Sequence, residues 1–170
     1  MGNRTVSNYL KENGVDVTTF DFDKELKPDI VGDVRDMKGV KDNSFDVVMA
    51  CEVLEHIPWD DVPEALRELR RVSNGYVVVS LPQYGWSFNI NLVIPFLDRF
   101  TKKKSLNIGF FIHRFYSNVT FDGQHYWEVG CKDYSLKRVR ELFSKYFNIE
   151  DEFEVELNRF HRFFVLKNKL

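Results

Sequence analysis

Residues 44–58, with the sequence SFDVVMACEVLEHIP, contain the pattern that decides the fold. Residues 44–51 form an almost unbroken apolar run, which is typical of a β-strand that is buried on both faces. The polar residues Glu52 and His56 come directly after this run. In open α/β sheets, ligands bind beyond the carboxyl ends of the strands. The stretch therefore predicts a buried strand that ends at a binding site.

The segments on either side alternate between helical and strand-like patterns, which favours an α/β fold with crossover helices. Apolar residues repeat with helical spacing over 5–12, 60–72 and 135–147. Strands are predicted over 15–20, 29–33, 44–51 and 75–81. Two last strands, 148–157 and 160–166, are joined by a tight turn at 158–159, which makes an antiparallel hairpin. The predicted sheet is mostly parallel and ends in this hairpin.

The alternation is interrupted at residues 84–134, a stretch rich in aromatic residues and asparagine. Insertions of this length are usually lids or binding loops. We predict one domain over residues 1–170, in which this insertion covers the site. A contact with a membrane surface or with a second copy of the chain is the alternative for its apolar part, residues 86–97.

Composition excludes several classes of protein. The net charge is −2, which argues against broad electrostatic attachment to nucleic acid. The most apolar segment, 86–97, is well short of the roughly 20 residues that span a bilayer, so no stable membrane insertion is predicted. Cys51 and Cys131 lie far apart without CxxC spacing, so a reducing cytoplasm is the expected location.

Four short segments at predicted strand ends resemble the cofactor motifs of class I S-adenosylmethionine-dependent methyltransferases. They are Asp21 after VDVTTF, GDV at 32–34, NSFDVV at 43–48, and CEVLEHIP at 51–58. The last is the most specific, and it resembles the ubiquinone/menaquinone-biosynthesis-like group. The resemblance implies a Rossmann-like sheet and S-adenosylmethionine as the cofactor. It also implies methyl transfer to a small-molecule acceptor or to a lipid- or glycan-linked one.

The resemblance also implies which residues contact the cofactor. Asp21 would accept hydrogen bonds from the ribose hydroxyls, and Asp33 would approach the adenine amino group. Cys51 and Glu52 would lie along the methionine part. The implied cofactor-binding residues are Gly2, Asp21, Phe22, Asp33, Val34, Cys51 and Glu52. Taken alone, Asp21 could equally be a turn residue.

His56 is the candidate catalytic residue. A histidine at this place could take a proton from an acceptor hydroxyl or amine. The alternative is that His56 fixes its loop by hydrogen bonding. His125 and Glu128 are of metal-ligating types, but two residues do not make a site, so no metal is predicted.

The family that this chain resembles begins with a strand and a GxGxG loop, and residues 2–5 correspond only to the end of that loop. We therefore expect the usual first strand to be missing between the strands that end at Asp21 and Cys51. A central gap leaves backbone groups unpaired, which folded proteins rarely tolerate when buried. Either these two strands pair directly, or another segment or a second subunit fills the gap. Loss of the loop also leaves a non-catalytic binding or interaction domain as the alternative function.

Overall fold

The computed structural model describes residues 2–96, 99, 105–114, 118, 121, 123–156 and 158–169. Part of the predicted insertion, including residues 100–104 and 115–117, lies outside them. The elements, in chain order, are α1 (Thr5–Glu12), β1 (Phe20–Asp21), β2 (Ile30–Val31), β3 (Phe45–Cys51), α2 (Val62–Val72), β4 (Ser73–Pro82), β5 (Gly85–Val93), β6 (Ser105–His113), α3 (Leu136–Tyr146), β7 (Phe147–Val155) and β8 (Asn158–Asn168).

The main sheet has four strands in the order β3-β4-β8-β7. β3 pairs parallel with β4, and β8 is antiparallel to both β4 and β7. Three strands therefore share one direction, and β8 alone runs against them. β7 and β8 form the predicted C-terminal hairpin. Its turn lies between Val155 and Asn158, earlier than the predicted 158–159, because Asn158 already pairs in β8.

α2 and α3 pack together against the main sheet. α2 buries five side chains at helical spacing, and α3 buries three more. These side chains join inward-facing residues of β4 and β8, such as Val79 and Phe164, in one core. α3 begins at the cap Ser135, whose hydroxyl accepts a hydrogen bond from the Arg138 amide at 3.2 Å. α2 ends at the predicted residue 72 and continues directly into β4 at Ser73.

β1 and β2 form a separate two-stranded parallel sheet. β1 contains only Phe20 and Asp21, so the predicted strand over 15–20 is mostly irregular, although it ends where the sequence indicated. Phe20 and Ile30 pack against a small cluster around Met37. α1 has the predicted bounds but buries no residue.

The outer edge of β3 is unpaired within the described part of the chain. β1 pairs with β2 and not with β3, so the first of the two alternatives, direct pairing of these strands, is wrong, and no described segment fills the gap. The predicted burial of β3 on both faces is also wrong. Successive side chains alternate between faces: Ala50 is 3% exposed, whereas Val47 and Met49 are each 50% exposed.

That a second subunit covers this edge stays a prediction. An unpaired, apolar strand edge is a template for association with another chain. We expect light scattering to give a mass about twice the 20.2 kDa of one chain, and we expect Met49→Lys to lower that mass toward the monomer. A monomeric mass at every concentration tested would contradict the prediction.

The insertion contains a β-ribbon where the sequence indicated an irregular lid. β5 and β6 pair antiparallel from Gly85↔His113 to Val93↔Ser105. Eight apolar side chains share one face of the ribbon, and each is 43–55% exposed: Trp86, Phe88, Ile90, Leu92, Leu106, Ile108, Phe110 and Ile112. This face is therefore open, so the expectation of a buried cover is not met by the described residues of the ribbon. Among all the residues that the structure describes, no helix has both the length and the apolar character that crossing a bilayer requires.

Candidate functional site

Hydrogen bonds from Arg35 join the segment after β2 to the loop that follows β3. Because β1 and β2 are parallel, Asp21 and the segment after β2 share an end. Arg35, just beyond β2, donates hydrogen bonds to Asp33 and, at 2.6 Å, to Asp61 Oδ2. Asp61 closes the loop that follows β3. The segment after β2 and the loop that follows β3 are therefore joined, whereas the resembling segment NSFDVV at 43–48 enters β3 at its opposite end.

Hydrogen bonds from neighbouring residues fix the carboxylates of both Asp21 and Asp33. Asp21 is 9% exposed, and its Oδ1 accepts a hydrogen bond from the Asp23 amide at 3.0 Å. Asp33 receives hydrogen bonds from both Nε and Nη2 of Arg35, which hold the pKa of Asp33 below its usual range. The neighbouring Phe22 is 79% exposed.

The remaining predicted cofactor contacts differ in their surroundings. Gly2 has a left-handed φ of 55°, and a Cβ built there would meet nothing within 4 Å. Val34 packs partly buried against the main core, so its side chain supports the fold. The Cys51 thiol is exposed at the end of β3.

Glu52 makes the turn that leaves β3. Its φ of 52° lies in the left-handed region, which is costly for a residue with a side chain and is concentrated at functional sites. Its amide donates to the Ser80 carbonyl at 3.2 Å, and its Oε1 accepts from the Ser80 hydroxyl at 2.7 Å. The turn is thereby tied across the end of β4.

Glu55 is fully buried directly beyond this turn. Its exposed fraction is 0%, and neither carboxylate oxygen has a hydrogen-bond partner among the described residues. Burial, and after it the negative charge of Glu52, hold the pKa of Glu55 well above its usual range. The nearest cationic candidate is His56, whose Nε2 lies 3.8 Å from Glu55 Oε1. A buried carboxyl without partners is costly, so it calls for a functional explanation.

Two histidines stand beside Glu55, one from each of two loops. His56 Nδ1 lies 2.9 Å from the Gln124 carbonyl oxygen, and His125 Nδ1 lies 2.8 Å from Glu128 Oε1. The two imidazole rings are 5.0 Å apart, edge to face. Sequence reasoning singled out His56 but did not connect it with Glu55 or His125. Nothing local in the sequence shows that the loop after β3 and the segment before α3 touch.

Trp127 holds these two loops together. Its side chain is 0% exposed, and its Nε1 donates to the Ile57 carbonyl at 3.2 Å. The amide of Tyr126 also donates to the Glu55 carbonyl at 2.8 Å. The segment 124–127 therefore covers the loop that carries Glu55 and His56.

A groove of about 610 Å³ lies at the other end of the sheet, where β3 and β4 begin. Its lining is polar and basic, and it includes Arg71 and Lys145. Because it lies away from the carboxyl strand ends, we do not assign the site to it.

Comparison with known proteins extends this description. A sequence model of the family described as "Methyltransferase domain" matches residues 1–79, which include every predicted site residue. No curated protein sequence matches the chain. Among solved structures, the chain is similar to the PH0226 protein from Pyrococcus horikoshii, with 16% identity and a TM-score of 0.58 over 96% of this chain and 78% of that one.

Two further solved structures are similar over nearly the whole chain. One is a 1,6-didemethyltoxoflavin-N1-methyltransferase from Burkholderia thailandensis with bound 1,6-didemethyltoxoflavin and S-adenosylhomocysteine. Its identity is 14% and its TM-score 0.60, over 99% of this chain and 68% of that one. The other is a SAM-dependent methyltransferase from Methanosarcina mazei, with 17% identity and a TM-score of 0.57 over 98% of this chain and 87% of that one. Likeness at these identities establishes a shared α/β fold.

Proposed function

We propose that this chain is an S-adenosylmethionine-dependent methyltransferase of class I that methylates a small-molecule acceptor or a lipid- or glycan-linked one. The observation that carries the proposal is that Arg35 joins Asp33, which follows the strand paired with β1 and its Asp21, to Asp61 in the loop after β3. The family match over residues 1–79 and the shared fold support it. Because a fold alone does not imply a function, the residues that follow β1, β2 and β3 carry the functional assignment.

The residues present fit the cofactor at several points. Asp21 offers a carboxylate at the end of β1, where ribose hydroxyls would need an acceptor. Gly2 leaves open space beside a left-handed backbone, which suits close approach of a ligand. Asp33 is bound by Arg35, so an adenine amino group would share that carboxylate with a guanidinium. Cys51 and Glu52 would lie along the methionine part.

The chemistry asks little of the protein beyond positioning. When bound, S-adenosylmethionine would supply a methyl group on a positively charged sulfur, which is already an activated leaving group. The protein has to orient the acceptor in line and exclude water. His56 could also take the acceptor proton at Nε2: the Gln124 carbonyl can only accept a hydrogen bond, so the ring hydrogen lies on Nδ1.

Calorimetric titration with S-adenosylhomocysteine tests the proposal. We expect saturable binding to the native chain and at least a tenfold loss of affinity in Asp21→Asn, because the amide replaces one acceptor oxygen by a donor. Asp16→Asn is the matched control, since Asp16 is an exposed aspartate on the same segment, and its affinity should equal that of the native chain.

Absence of heat at millimolar ligand, with circular dichroism showing a folded protein, would overturn the proposal. That result would favour the second reading, a non-catalytic domain with the methyltransferase fold. Equal losses in Asp21→Asn and Asp16→Asn would leave binding in place but remove Asp21 from the site.

A further inference from the structure

We infer that Glu55, His56 and His125 form a binding site for a divalent transition-metal ion at the carboxyl end of β3. One ligand atom from each residue lies within 4.8 Å of the other two. The three come from the two loops that Trp127 joins. The site goes beyond the proposed function, and it departs from the expectation that the chain binds no metal.

The hydrogen bonds of the two histidines leave the same nitrogen available on each ring. His56 Nδ1 faces a carbonyl oxygen and His125 Nδ1 faces a carboxylate oxygen, and both partners are acceptors. Each Nδ1 therefore carries the hydrogen, and each Nε2 keeps its lone pair. Histidines that bind metals usually donate their other ring N–H to a carbonyl or carboxylate in this way, which fixes the tautomer and the ring orientation.

Glu55 would supply the negative charge that such a site needs once the metal displaces its proton. It is fully buried, its oxygens have no hydrogen-bond partner among the described residues, and His56 Nε2 lies 3.8 Å away. Buried charges in folded proteins are normally paired or coordinate a metal. A cation between Glu55 and the two imidazoles would remove the cost of burying this carboxylate.

A bound ion requires a closer spacing than the one observed. Ligand atoms held at about 2.1 Å from a tetrahedral metal lie about 3.4 Å apart. One atom from each residue lies within 4.8 Å of the other two, so binding would draw the farthest pair together by up to about 1.4 Å. Rotation of the His56 side chain, which is 42% exposed, can supply such a movement.

The donor set selects the class of metal. Two imidazoles and one carboxylate suit zinc, iron, cobalt or manganese, whereas magnesium and calcium prefer sites made of oxygen. Three protein ligands also leave coordination positions open for water or for a substrate oxygen. If the proposed methyl transfer takes place here, an acceptor hydroxyl on the metal would have a lowered pKa. His56 would then act as a ligand and not as the proton acceptor.

Titration with Co²⁺ tests the site directly and needs no cofactor. The chain is first freed of metal with a chelator, and the visible d–d absorption of Co²⁺ is followed. We expect saturation at one ion per chain. Glu55→Gln should bind at least about 100-fold more weakly because it loses a charged ligand, and Glu128→Gln about 10–100-fold more weakly because it loses the partner that orients His125.

Two matched controls should bind Co²⁺ like the native chain. His161→Gln removes a histidine of similar exposure, 40% against 42% for His56. Glu64→Gln removes a carboxylate on the exposed face of α2. Circular dichroism of each variant shows whether it has folded. Glu128 is not a proposed ligand, so weaker Co²⁺ binding by Glu128→Gln tests the site even if Glu55→Gln does not fold.

Either of two results would overturn the inference: no saturable d–d absorption in the native chain, or binding to folded Glu55→Gln as tight as to the native chain. Near-ultraviolet charge-transfer bands would instead indicate a thiolate ligand such as Cys51, and would also overturn it. Because no cofactor is present, these results are independent of the S-adenosylhomocysteine titration. A negative Co²⁺ titration would therefore not contradict cofactor binding, and a negative S-adenosylhomocysteine titration would not contradict the metal site.

Discussion

Trp127→Ala should lower the free energy of unfolding by about 3–5 kcal/mol, the range for truncating a large buried aromatic side chain. Trp127 is 0% exposed and contacts Trp59 edge to face, with ring centroids 4.8 Å apart. Its removal leaves a cavity between the two loops and an unpaired carbonyl at Ile57. This is a large part of the roughly 5–15 kcal/mol that stabilises a typical domain.

Urea unfolding followed by far-ultraviolet circular dichroism measures the effect without using tryptophan fluorescence. Trp86→Ala is the matched control: Trp86 is 55% exposed on the ribbon, and its loss should change stability by no more than about 0.5 kcal/mol. Trp127→Phe keeps a ring and loses the hydrogen bond, so it should fall between the two. Equal effects at positions 86 and 127 would contradict the anchoring role of Trp127.

Arg162→Met should lower the free energy of unfolding by about 2–4 kcal/mol at neutral pH. Arg162 on β8 is 14% exposed in its side chain and donates to Glu152, Glu154 and Gln83. Removing one partner of a buried ion pair costs about 3–5 kcal/mol. The loss should be smaller here because Arg140 and Arg159 still pair with the two glutamates.

The effect should depend on pH in a defined direction. Burial alone raises the pKa of Glu152, but hydrogen bonds from Arg140 and Arg162 outweigh burial and hold the pKa below the ordinary 4.5. A carboxyl whose pKa is lower in the folded state stabilises the fold above the unfolded-state pKa, and that contribution is lost as pH falls through the folded-state pKa. The difference between native chain and variant should therefore be full at neutral pH and shrink below about pH 4.5.

Chemical denaturation at neutral and acidic pH measures this difference. Arg67→Met is the control, because Arg67 and Glu64 form an exposed i,i+3 pair on α2 that should contribute no more than about 0.5 kcal/mol. A pH-independent loss in Arg162→Met would mean that packing, and not charge, explains the role of Arg162.

The sequence predicted the regular core with small errors at the ends. α1 has its predicted bounds, and α3 lies within one residue of them at each end, because helical periodicity of apolar residues is a local signal. The ribbon was not predicted although residues 86–92 alternate between apolar and polar, because Phe110, Phe111 and Ile112 interrupt the alternation in the second strand. The open face of β3 was missed for a different reason: an apolar run does not show whether anything covers it.

The residues of the candidate site were likewise predicted from the sequence only in part. The sequence by itself placed Asp21, Glu52 and His56 at strand ends, because a strand's end is marked by its own residues. Only the tertiary structure brought His125 to Glu55 and buried the two Glu55 oxygens without a hydrogen-bond partner among the described residues. Residues far apart in the chain meet through packing, here through Trp127, and the burial of a charge depends on every segment around it. Neither the contact between distant residues nor the burial of a charge can be predicted from a local sequence pattern.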